Sequence, residues 1–261
     1  MRLAIVIPAR FGSTRLPGKP MVLVKGISLL ERVWRIAKAV EGVSAVYVAT
    51  DDERVAVHAA SFGAPALMTP SDVATGTDRV QSSLALMPER PDAVINLQGD
   101  AVLTPPWVVQ ALADAFHADG AVDMVTAAVH CTWRQLDELR ALKAQSPTSG
   151  TTVTMDRFGR ALYFSKTVIP YLRTRDFERP PVYRHIGIYG YASDVLDRLS
   201  RLEQTPLERA EQLEQLRALE NGIPIKVEVV DYRGRTHGSI DTPEDIPVVE
   251  EIIAREGELV P

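Results

Sequence analysis

The sequence predicts an α/β fold, with a doubly wound, mostly parallel sheet and a smaller antiparallel part. Short apolar runs alternate with helical patterns through the first half of the chain, which is typical of parallel strands covered by helices on both faces. The 261 residues are 46% hydrophobic and 24% charged, so the chain can bury a core, and a disordered or fibrous protein is excluded. We expect a single domain over residues 1–261.

The first eight elements follow one another in regular order. Four short apolar runs are predicted to be buried strands, and four longer amphipathic runs are predicted to be helices. The strands are expected at residues 3–7, 45–49, 65–68 and 93–97, and the helices at 29–40, 52–62, 78–87 and 105–116.

After a further apolar run at 122–129 the alternation loosens. Strands are expected at 151–155, 161–164 and 186–191, separated by loops, of which 173–183 is charged and rich in proline. We expect an inserted antiparallel part over about 130–191 that carries substrate or subunit contacts.

Two later helices are predicted from capping chemistry. Thr205-Pro206-Leu207-Glu208 places an N-cap, a first-turn proline and a capping-box glutamate in order, and the helix is expected to run to Gly222. Thr242-Pro243-Glu244-Asp245 repeats this capping pattern after a strand at 225–230. It is expected to begin a final helix that ends near Arg255. Asp241 therefore lies at a strand-to-helix junction, where ligands bind in open α/β sheets.

Charge and cysteine content exclude several classes of protein. The formal net charge of −5 gives no overall attraction for nucleic acid or anionic lipid, and the single Cys131 excludes a disulfide framework. The first apolar run stops at Pro8, whereas a secretory signal needs roughly 7–15 apolar residues and a membrane span about 20. We expect a soluble, cytoplasmic protein with no nucleic-acid or membrane partner.

The strongest chemical signal is the loop after the first strand. It reads Pro8-Ala9-Arg10-Phe11-Gly12-Ser13-Thr14-Arg15-Leu16-Pro17-Gly18-Lys19-Pro20 and holds three cations, two glycines and two hydroxyls. Backbone N–H groups beside arginine and lysine form an anion site suited to a triphosphate. The loop matches neither the Walker nor the dinucleotide fingerprint. An ordinary basic loop is the alternative, but closely spaced cations repel one another unless an anion joins them.

A second signal is Asn96-Leu97-Gln98-Gly99-Asp100, which ends the fourth predicted strand. Asp100 and Asp241 both follow predicted strands, so they are a candidate pair of ligands for Mg²⁺, which usually takes one or two protein carboxylates. Each also has a structural alternative, since Asp100 could cap a turn and Asp241 could be a turn residue. The basic loop in the same chain favours the metal site.

Further blocks of sequence are similar to a known family. They are A-T-D-D (49–52), T-G-T-D-R (75–79), N-L-Q-G-D (96–100), A-L-Y-F-S (161–165), R-H-I-G-I-Y-G-Y (184–191), L-E-Q-L-R (213–217) and D-T-P-E-D (241–245). Together with the first loop they resemble the 3-deoxy-manno-octulosonate cytidylyltransferases, or CMP-Kdo synthetases, over nearly the whole chain. The first loop alone indicates only a nucleotide–sugar transferase, whereas R-H-I-G-I-Y-G-Y and L-E-Q-L-R are specific to this family.

The resemblance implies a nucleotide-diphospho-sugar transferase-like fold, Mg²⁺ as cofactor, and attack of the anomeric hydroxyl of 3-deoxy-manno-octulosonate (Kdo) on the α-phosphorus of CTP. The implied catalytic residues are Lys19, Arg15, Asp100 and Asp241, and the two aspartates are the implied metal ligands. The implied nucleotide contacts are Pro8, Ala9, Arg10, Ser13, Thr14, Arg15, Lys19, Thr75, Gly76, Thr77 and Asp100. The implied sugar contacts are Arg79, Gln98, His185, Tyr189, Glu214 and Gln215.

Three positions depart from the family pattern. Ala101 stands where the family usually has glutamate, Thr152 where it has lysine, and Lys166 where it has arginine. Two alternatives therefore stay open: the same reaction on a modified acidic sugar such as 8-amino-Kdo, and a catalytically silent nucleotide-binding paralogue. The intact cations and aspartates argue against the second. By resemblance we also expect a homodimer that serves lipopolysaccharide or capsule synthesis.

Overall fold

The structure is a computed structural model, and it describes residues 1–12, 15–118 and 121–260. These residues contain a nine-stranded sheet. In chain order the strands are β1 (Leu3–Pro8), β2 (Leu23–Val24), β3 (Ile27–Ser28), β4 (Ala45–Thr50), β5 (Ala66–Met68), β6 (Ala93–Asn96), β7 (Met124–His130), β8 (Thr152–Met155), β9 (Ala161–Ser165), β10 (Tyr183–Ala192) and β11 (Ile225–Val229). The short strands β2 and β3 form a separate hairpin.

Helices cover the sheet. They are α1 (Leu29–Lys38), α2 (Glu53–Ser61), α3 (Gly76–Leu84), α4 (Pro106–Ala118), α5 (Trp133–Gln145), α6 (Ser193–Leu199), α7 (Pro206–Glu211), α8 (Gln215–Glu220) and α9 (Asp245–Glu256). A single turn of 3-10 helix spans Lys19–Met21. Among the described residues, no helix is both long enough and apolar enough to cross a membrane.

Along the central order of seven strands, four of the six neighbouring pairs run parallel. The order is β11-β7-β10-β6-β1-β4-β5, and β8 and β9 extend the sheet from β10. β1 pairs in parallel with β4 and β6, β4 with β5, and β7 with β11, whereas β10 runs antiparallel between β6 and β7. The prediction of an α/β fold with a mostly parallel sheet and a smaller antiparallel part is confirmed.

Strand β1 shows why the apolar runs predict this architecture. Leu3, Ile5 and Ile7 are fully buried in one apolar cluster, while Ala4 and Val6 are buried in a second cluster. Because successive side chains of a strand point to opposite faces, the two clusters lie on opposite sides of the sheet. A strand covered on both faces needs a continuous apolar run rather than an alternating one.

The antiparallel part is built on β10. Its first residues pair with β8, which pairs with β9, and its last residues pair with β6. β10 is longer than the expected strand at 186–191 because Tyr183 and Arg184 also find partners on β8. Gly190 lets α4 approach closely, since a Cβ at this position would lie 2.5 Å from Cε2 of Phe116. The boundaries of an insertion at about 130–191 stay a prediction, because β10 belongs to both parts.

Two of the expected helices are corrected. The helix expected from Thr205 to Gly222 is two helices, α7 and α8, because Gln212 adopts a left-handed conformation with φ of 52°. The Glu208 half of the predicted capping box is present, since the carboxylate of Glu208 accepts the backbone N–H of Thr205 at 3.3 Å. The last helix begins at Asp245 rather than at Pro243 after a Thr242 cap, because a turn in which the Asp245 N–H donates to the Thr242 carbonyl comes first.

Candidate active site

A cleft of about 220 Å³ lies where β1 and β6 reach their carboxyl ends. It is lined by Pro8, Ala9, Arg10, Arg15, Lys19, Pro20, Val73, Ala74, Thr75, Gly76, Arg79, Gln98, Gly99, Asp100 and Asp241. The first loop, the end of β6, the start of α3 and the segment before α9 therefore meet in one place. This is the position at which ligands bind in open α/β sheets.

Two carboxylates converge on one ammonium group in the cleft. Nζ of Lys19 lies 2.7 Å from Oδ2 of Asp100 and 3.2 Å from Oδ1 of Asp241. Arg15 donates from Nη2 to the same Asp241 oxygen at 3.0 Å. The four residues that the sequence predicts as catalytic thus lie within one network of ion pairs. Asp241 is more than two hundred positions from Lys19 along the chain, and folding places them in contact.

Glycine conformations shape the two loops that carry these groups. Gly18 has a φ of 68°, and this left-handed turn leads directly into the 3-10 helix that carries Lys19. Gly99 lies so close to β1 that a Cβ would be 3.0 Å from the carbonyl oxygen of Pro8. A glycine at this position lets Asp100 sit beside the first loop.

Asp245 holds Asp241 in place. Its carboxylate accepts the backbone N–H groups of Asp241 and Thr242, each at 2.8 Å. Burial opposes the charge on this carboxylate, but these hydrogen bonds and nearby Lys19 outweigh it, so the pKa of Asp245 is lowered. Asp245 therefore stays ionised and fixes the backbone from which the Asp241 side chain reaches the cleft.

The donor set fits a hard divalent cation. Asp100 and Asp241 already share one cation, the Lys19 ammonium, so both carboxylates reach a common point. Among residues 1–12, 15–118 and 121–260, no group of three acidic, histidine or cysteine side chains could hold a metal. Two carboxylates completed by phosphate oxygens and water are what Mg²⁺ commonly takes.

The predicted nucleotide contacts differ in whether they line the cleft. Thr75 and Gly76 line the cleft at the start of α3, where Thr75 is the N-cap and accepts the backbone N–H of Asp78 at 3.0 Å. Thr77 is buried behind them and donates to Oε2 of Glu214 at 2.8 Å. Ser13 and Thr14 lie outside the described residues.

The predicted sugar contacts fall into two groups, and the first lines the cleft. Arg79 is 4% exposed, and its guanidinium contacts Asp51 at 3.2 Å and donates to Oγ1 of Thr69 at 2.6 Å. Gln98 donates to Oδ1 of Asn96 at 3.1 Å. No role was predicted for Asp51 or Thr69 from the sequence, although Asp51 lies in the A-T-D-D block.

The second group lies beside the cleft. The ring of His185 packs against Tyr189, with 5.3 Å between ring centroids, and its Nε2 is 3.0 Å from Oγ1 of Thr126. Glu214 joins this group to the cleft wall through its hydrogen bond with Thr77. Nε2 of Gln215 and Nδ2 of Asn96 are buried without a hydrogen-bond partner. Buried donors of this kind are suited to the hydroxyl groups of a ligand.

Burial sets the charge state of the second group. It lowers the pKa of His185 to about 3, with His237 and Lys166 adding to the effect, so the imidazole is neutral near pH 7. Burial also raises the pKa of Glu214, against the hydrogen bond from Thr77 and the charge of Arg217. With His185, Tyr189 and Gln215 uncharged near pH 7, the group presents mainly hydrogen-bonding side chains.

None of the three departures from the family pattern is among the described residues that line the cleft, although Ala101 directly follows Asp100. Thr152 is buried, and its hydroxyl donates to the Thr167 carbonyl at 2.8 Å and accepts the Ile169 N–H at 3.1 Å. The backbone N–H of Lys166 donates to Glu211 at 2.7 Å, and Ala101 is 8% exposed. Thr152 thus has a structural role in holding the loop after β9.

Comparison with known proteins shows the family of the chain. A family model described as Cytidylyltransferase matches residues 4–228. A protein of Maricaulis maris, named 3-deoxy-manno-octulosonate cytidylyltransferase, is 51% identical over 260 residues, which cover 100% of both chains. The chain belongs to the 3-deoxy-manno-octulosonate cytidylyltransferase family. The resemblance stated from the motifs is confirmed, and this cytidylyltransferase is a nucleotidyltransferase enzyme.

Two further matches show the range of similarity. The solved structure of CMP:2-keto-3-deoxy-manno-octonic acid synthetase complexed with CTP is 36% identical, with a TM-score of 0.86, and covers 98% of this cytidylyltransferase and 100% of that chain. A Shewanella pealeana protein named 8-amino-3,8-dideoxy-manno-octulosonate cytidylyltransferase is 38% identical over 253 residues, covering 96% of this chain and 98% of the relative.

Proposed function

We propose that this cytidylyltransferase transfers CMP from CTP to the anomeric hydroxyl of Kdo and releases pyrophosphate. The observation that carries the proposal is the convergence of Lys19, Asp100 and Asp241 in the cleft. It occurs in a chain that is 51% identical, over its whole length, to a relative named for cytidylyl transfer to this sugar.

The cations of the first loop would bind the triphosphate. Arg10, Arg15 and Lys19 line one side of the cleft, and Pro8, Ala9, Thr75, Gly76 and Thr77 are proposed to surround the cytosine and ribose, with Ser13 and Thr14 completing the loop. Catalysis of phosphoryl-group transfer is mainly positioning and charge stabilisation. Arg15 and Lys19 would neutralise the charge that develops on the departing pyrophosphate.

Asp100 and Asp241 are proposed to hold Mg²⁺. When bound there, the ion would polarise the α-phosphate and lower the pKa of the attacking hydroxyl. Lys19 contacts both carboxylates, so it balances their charge before the nucleotide arrives. Asp245 keeps the Asp241 backbone fixed during this exchange of partners.

The acidic sugar would bind across the boundary between the cleft and the second group. Arg79 offers a guanidinium to a carboxylate, and Gln98, His185, Tyr189, Glu214 and Gln215 are proposed to contact the sugar's hydroxyls. The unpartnered amide nitrogen of Gln215 supports this placement, because a buried donor without a partner lowers stability unless a ligand satisfies it.

The setting of the reaction is also a proposal. We propose a homodimer that works in the cytoplasm and supplies lipopolysaccharide or capsule synthesis. Tyr171 and Phe177 support the dimer, because these large apolar side chains of the antiparallel part are 87% and 49% exposed. Apolar surface of this kind marks interaction sites in soluble proteins.

The test is pyrophosphate release from the purified protein with CTP and Mg²⁺, comparing Kdo, 8-amino-8-deoxy-Kdo and sialic acid. We expect turnover with Kdo to exceed that with the other two sugars. A preference for the amino sugar would show that 8-amino-8-deoxy-Kdo, and not Kdo, is the acceptor. Measurable CTP binding with no release from any sugar would show a silent paralogue and overturn the proposal.

A further inference from the structure

An arginine outside the cleft is stacked on the first loop. The guanidinium carbon of Arg54, on the first turn of α2, lies 3.5 Å from the centroid of the Phe11 ring. Its Nε and Nη2 also donate to the two carboxylate oxygens of Asp52, at 2.9 and 2.6 Å. A guanidinium held by two parallel hydrogen bonds has a fixed plane, which suits it to stack on an aromatic face.

Phe11 in turn touches the residue that precedes Lys19. A Cβ on Gly18 would lie 3.3 Å from Cε2 and Cζ of Phe11, so the ring packs directly against this glycine. The backbone closes at the same point, because the Gly18 N–H donates to the Phe11 carbonyl at 3.0 Å. The two ends of the loop segment 11–18 are therefore joined beneath the Arg54 guanidinium.

The arrangement does more than cap a helix. Asp52 already caps α2 by accepting the backbone N–H of Arg54 at 3.0 Å, and this needs no side chain from Arg54. The guanidinium adds the link from α2 to Phe11, and through Gly18 to the 3-10 helix that carries Lys19. Arg54 is 63% exposed, so core packing does not explain its position.

We propose that Arg54 is a positioning residue for the triphosphate-binding loop. Its guanidinium, fixed by Asp52, stacks on Phe11 and thereby holds Phe11 and Gly18 in the positions that bring Lys19 to Asp100 and Asp241. The inference rests on the proposed binding of CTP in this cleft, and it is independent of which sugar accepts the nucleotide. Arg54 acts through Phe11 and Gly18 and is not assigned a contact with the substrate.

The chain contains a matched control. Asp137 binds the Arg175 guanidinium at 2.8 and 3.2 Å, and Arg175 stacks on the ring of Trp133 at 4.5 Å. The side chain of Arg175 is 57% exposed, similar to that of Arg54, and it does not line the described cleft. Arg175→Ala removes the same charge and the same kind of stack from another surface.

The experiment measures CTP binding by calorimetry, with Mg²⁺ and without sugar, and then KM for CTP and for Kdo. We expect Arg54→Ala to weaken CTP binding about two- to five-fold, the size of one exposed cation–π contact, and to leave KM for Kdo and the melting temperature nearly unchanged. Phe11→Leu changes no charge and should cause a similar loss. The double variant should lose no more than either single variant, because both remove one contact.

Three outcomes would overturn the proposal: unchanged CTP binding in Arg54→Ala, an equal loss in Arg175→Ala, or additive losses in the double variant. A wild-type protein that binds CTP but does not turn over Kdo would refute the proposed acceptor alone. The CTP affinity of each variant relative to that of the wild-type protein would still test the role of Arg54.

Discussion

At the scale of single residues, Lys19 has one predicted role and one observed pair of contacts. The sequence predicted it as a triphosphate ligand, because cations beside glycines follow a buried strand. The structure adds that its side chain, 16% exposed, is the counter-ion of Asp100 and Asp241. A sequence pattern shows which charges a loop carries, but contacts across 81 and 222 positions depend on the folded sheet.

Replacing Lys19 tests this role. We expect Lys19→Ala to lower turnover by about 10²–10³, the usual effect of removing one group that stabilises transition-state charge. Pyrophosphate release at saturating CTP and Kdo measures the change. Lys38→Ala, at the exposed end of α1, is the control and should keep wild-type turnover. Near-normal turnover in Lys19→Ala would contradict the assignment.

Asp241 tests the metal site. Asp241→Asn keeps the shape of the side chain but removes one of the two proposed carboxylate ligands, so a higher Mg²⁺ concentration should be needed for half-maximal rate. A titration of rate against Mg²⁺ measures this. Asp114→Asn, an exposed change on α4, should leave the titration unaltered. An unchanged curve for Asp241→Asn would place the metal elsewhere.

At the scale of elements, a buried ion pair defines the α7–α8 turn. Arg217 donates from Nε and Nη2 to the carboxylate of Glu208 at 2.9 and 2.6 Å, and both side chains are less than 10% exposed. The same guanidinium lies 3.7 Å from Glu214. The sequence predicted the start of α7 from its capping box, but it did not predict the break at Gln212, because a left-handed glutamine leaves no local signal.

Breaking the pair should destabilise the fold. Removing one partner of a buried pair leaves the other charge uncompensated, so Arg217→Met should lower the free energy of unfolding by about 3–5 kcal/mol. Urea denaturation measures the difference. Arg134→Met breaks an exposed pair with Glu138 on α5 and should cost less than about 1 kcal/mol. Equal losses in the two variants would show that burial of the Arg217 pair does not matter.

At the scale of the whole molecule, more of the fold than of the arrangement of the site could be predicted from the sequence. Buried parallel strands need continuous apolar runs, and β1, β4 and β6 show them clearly. The direction of β10 could not be predicted, because an apolar strand reads the same in either direction. Its antiparallel placement between β6 and β7 sets His185 and Tyr189 beside the cleft. Only the family resemblance linked these residues to Glu214 and Gln215.

Two buried imidazoles make the stability of the whole chain depend on pH. Burial lowers the pKa of His185 to about 3 and that of His237 to about 4, from the ordinary value of 6.5. Lys166 contributes to the shift at His185, and Arg184, whose Nη2 is 3.4 Å from Nδ1 of His237, contributes at His237. Between pH 6.5 and about 4 the unfolded chain therefore binds more protons than the folded chain.

The free energy of unfolding should accordingly fall as the pH decreases from 6.5 towards 4, by up to about 1.4 kcal/mol per pH unit for each histidine. Urea denaturation at a series of pH values measures the slope. His237→Gln and His185→Gln should each flatten it, whatever their effect at pH 7, because each removes one group that gains a proton on unfolding. His117→Gln, at the exposed end of α4, is the control and should keep the wild-type slope. An unaltered slope in both buried-site variants would contradict the prediction and assign the pH dependence to carboxylates.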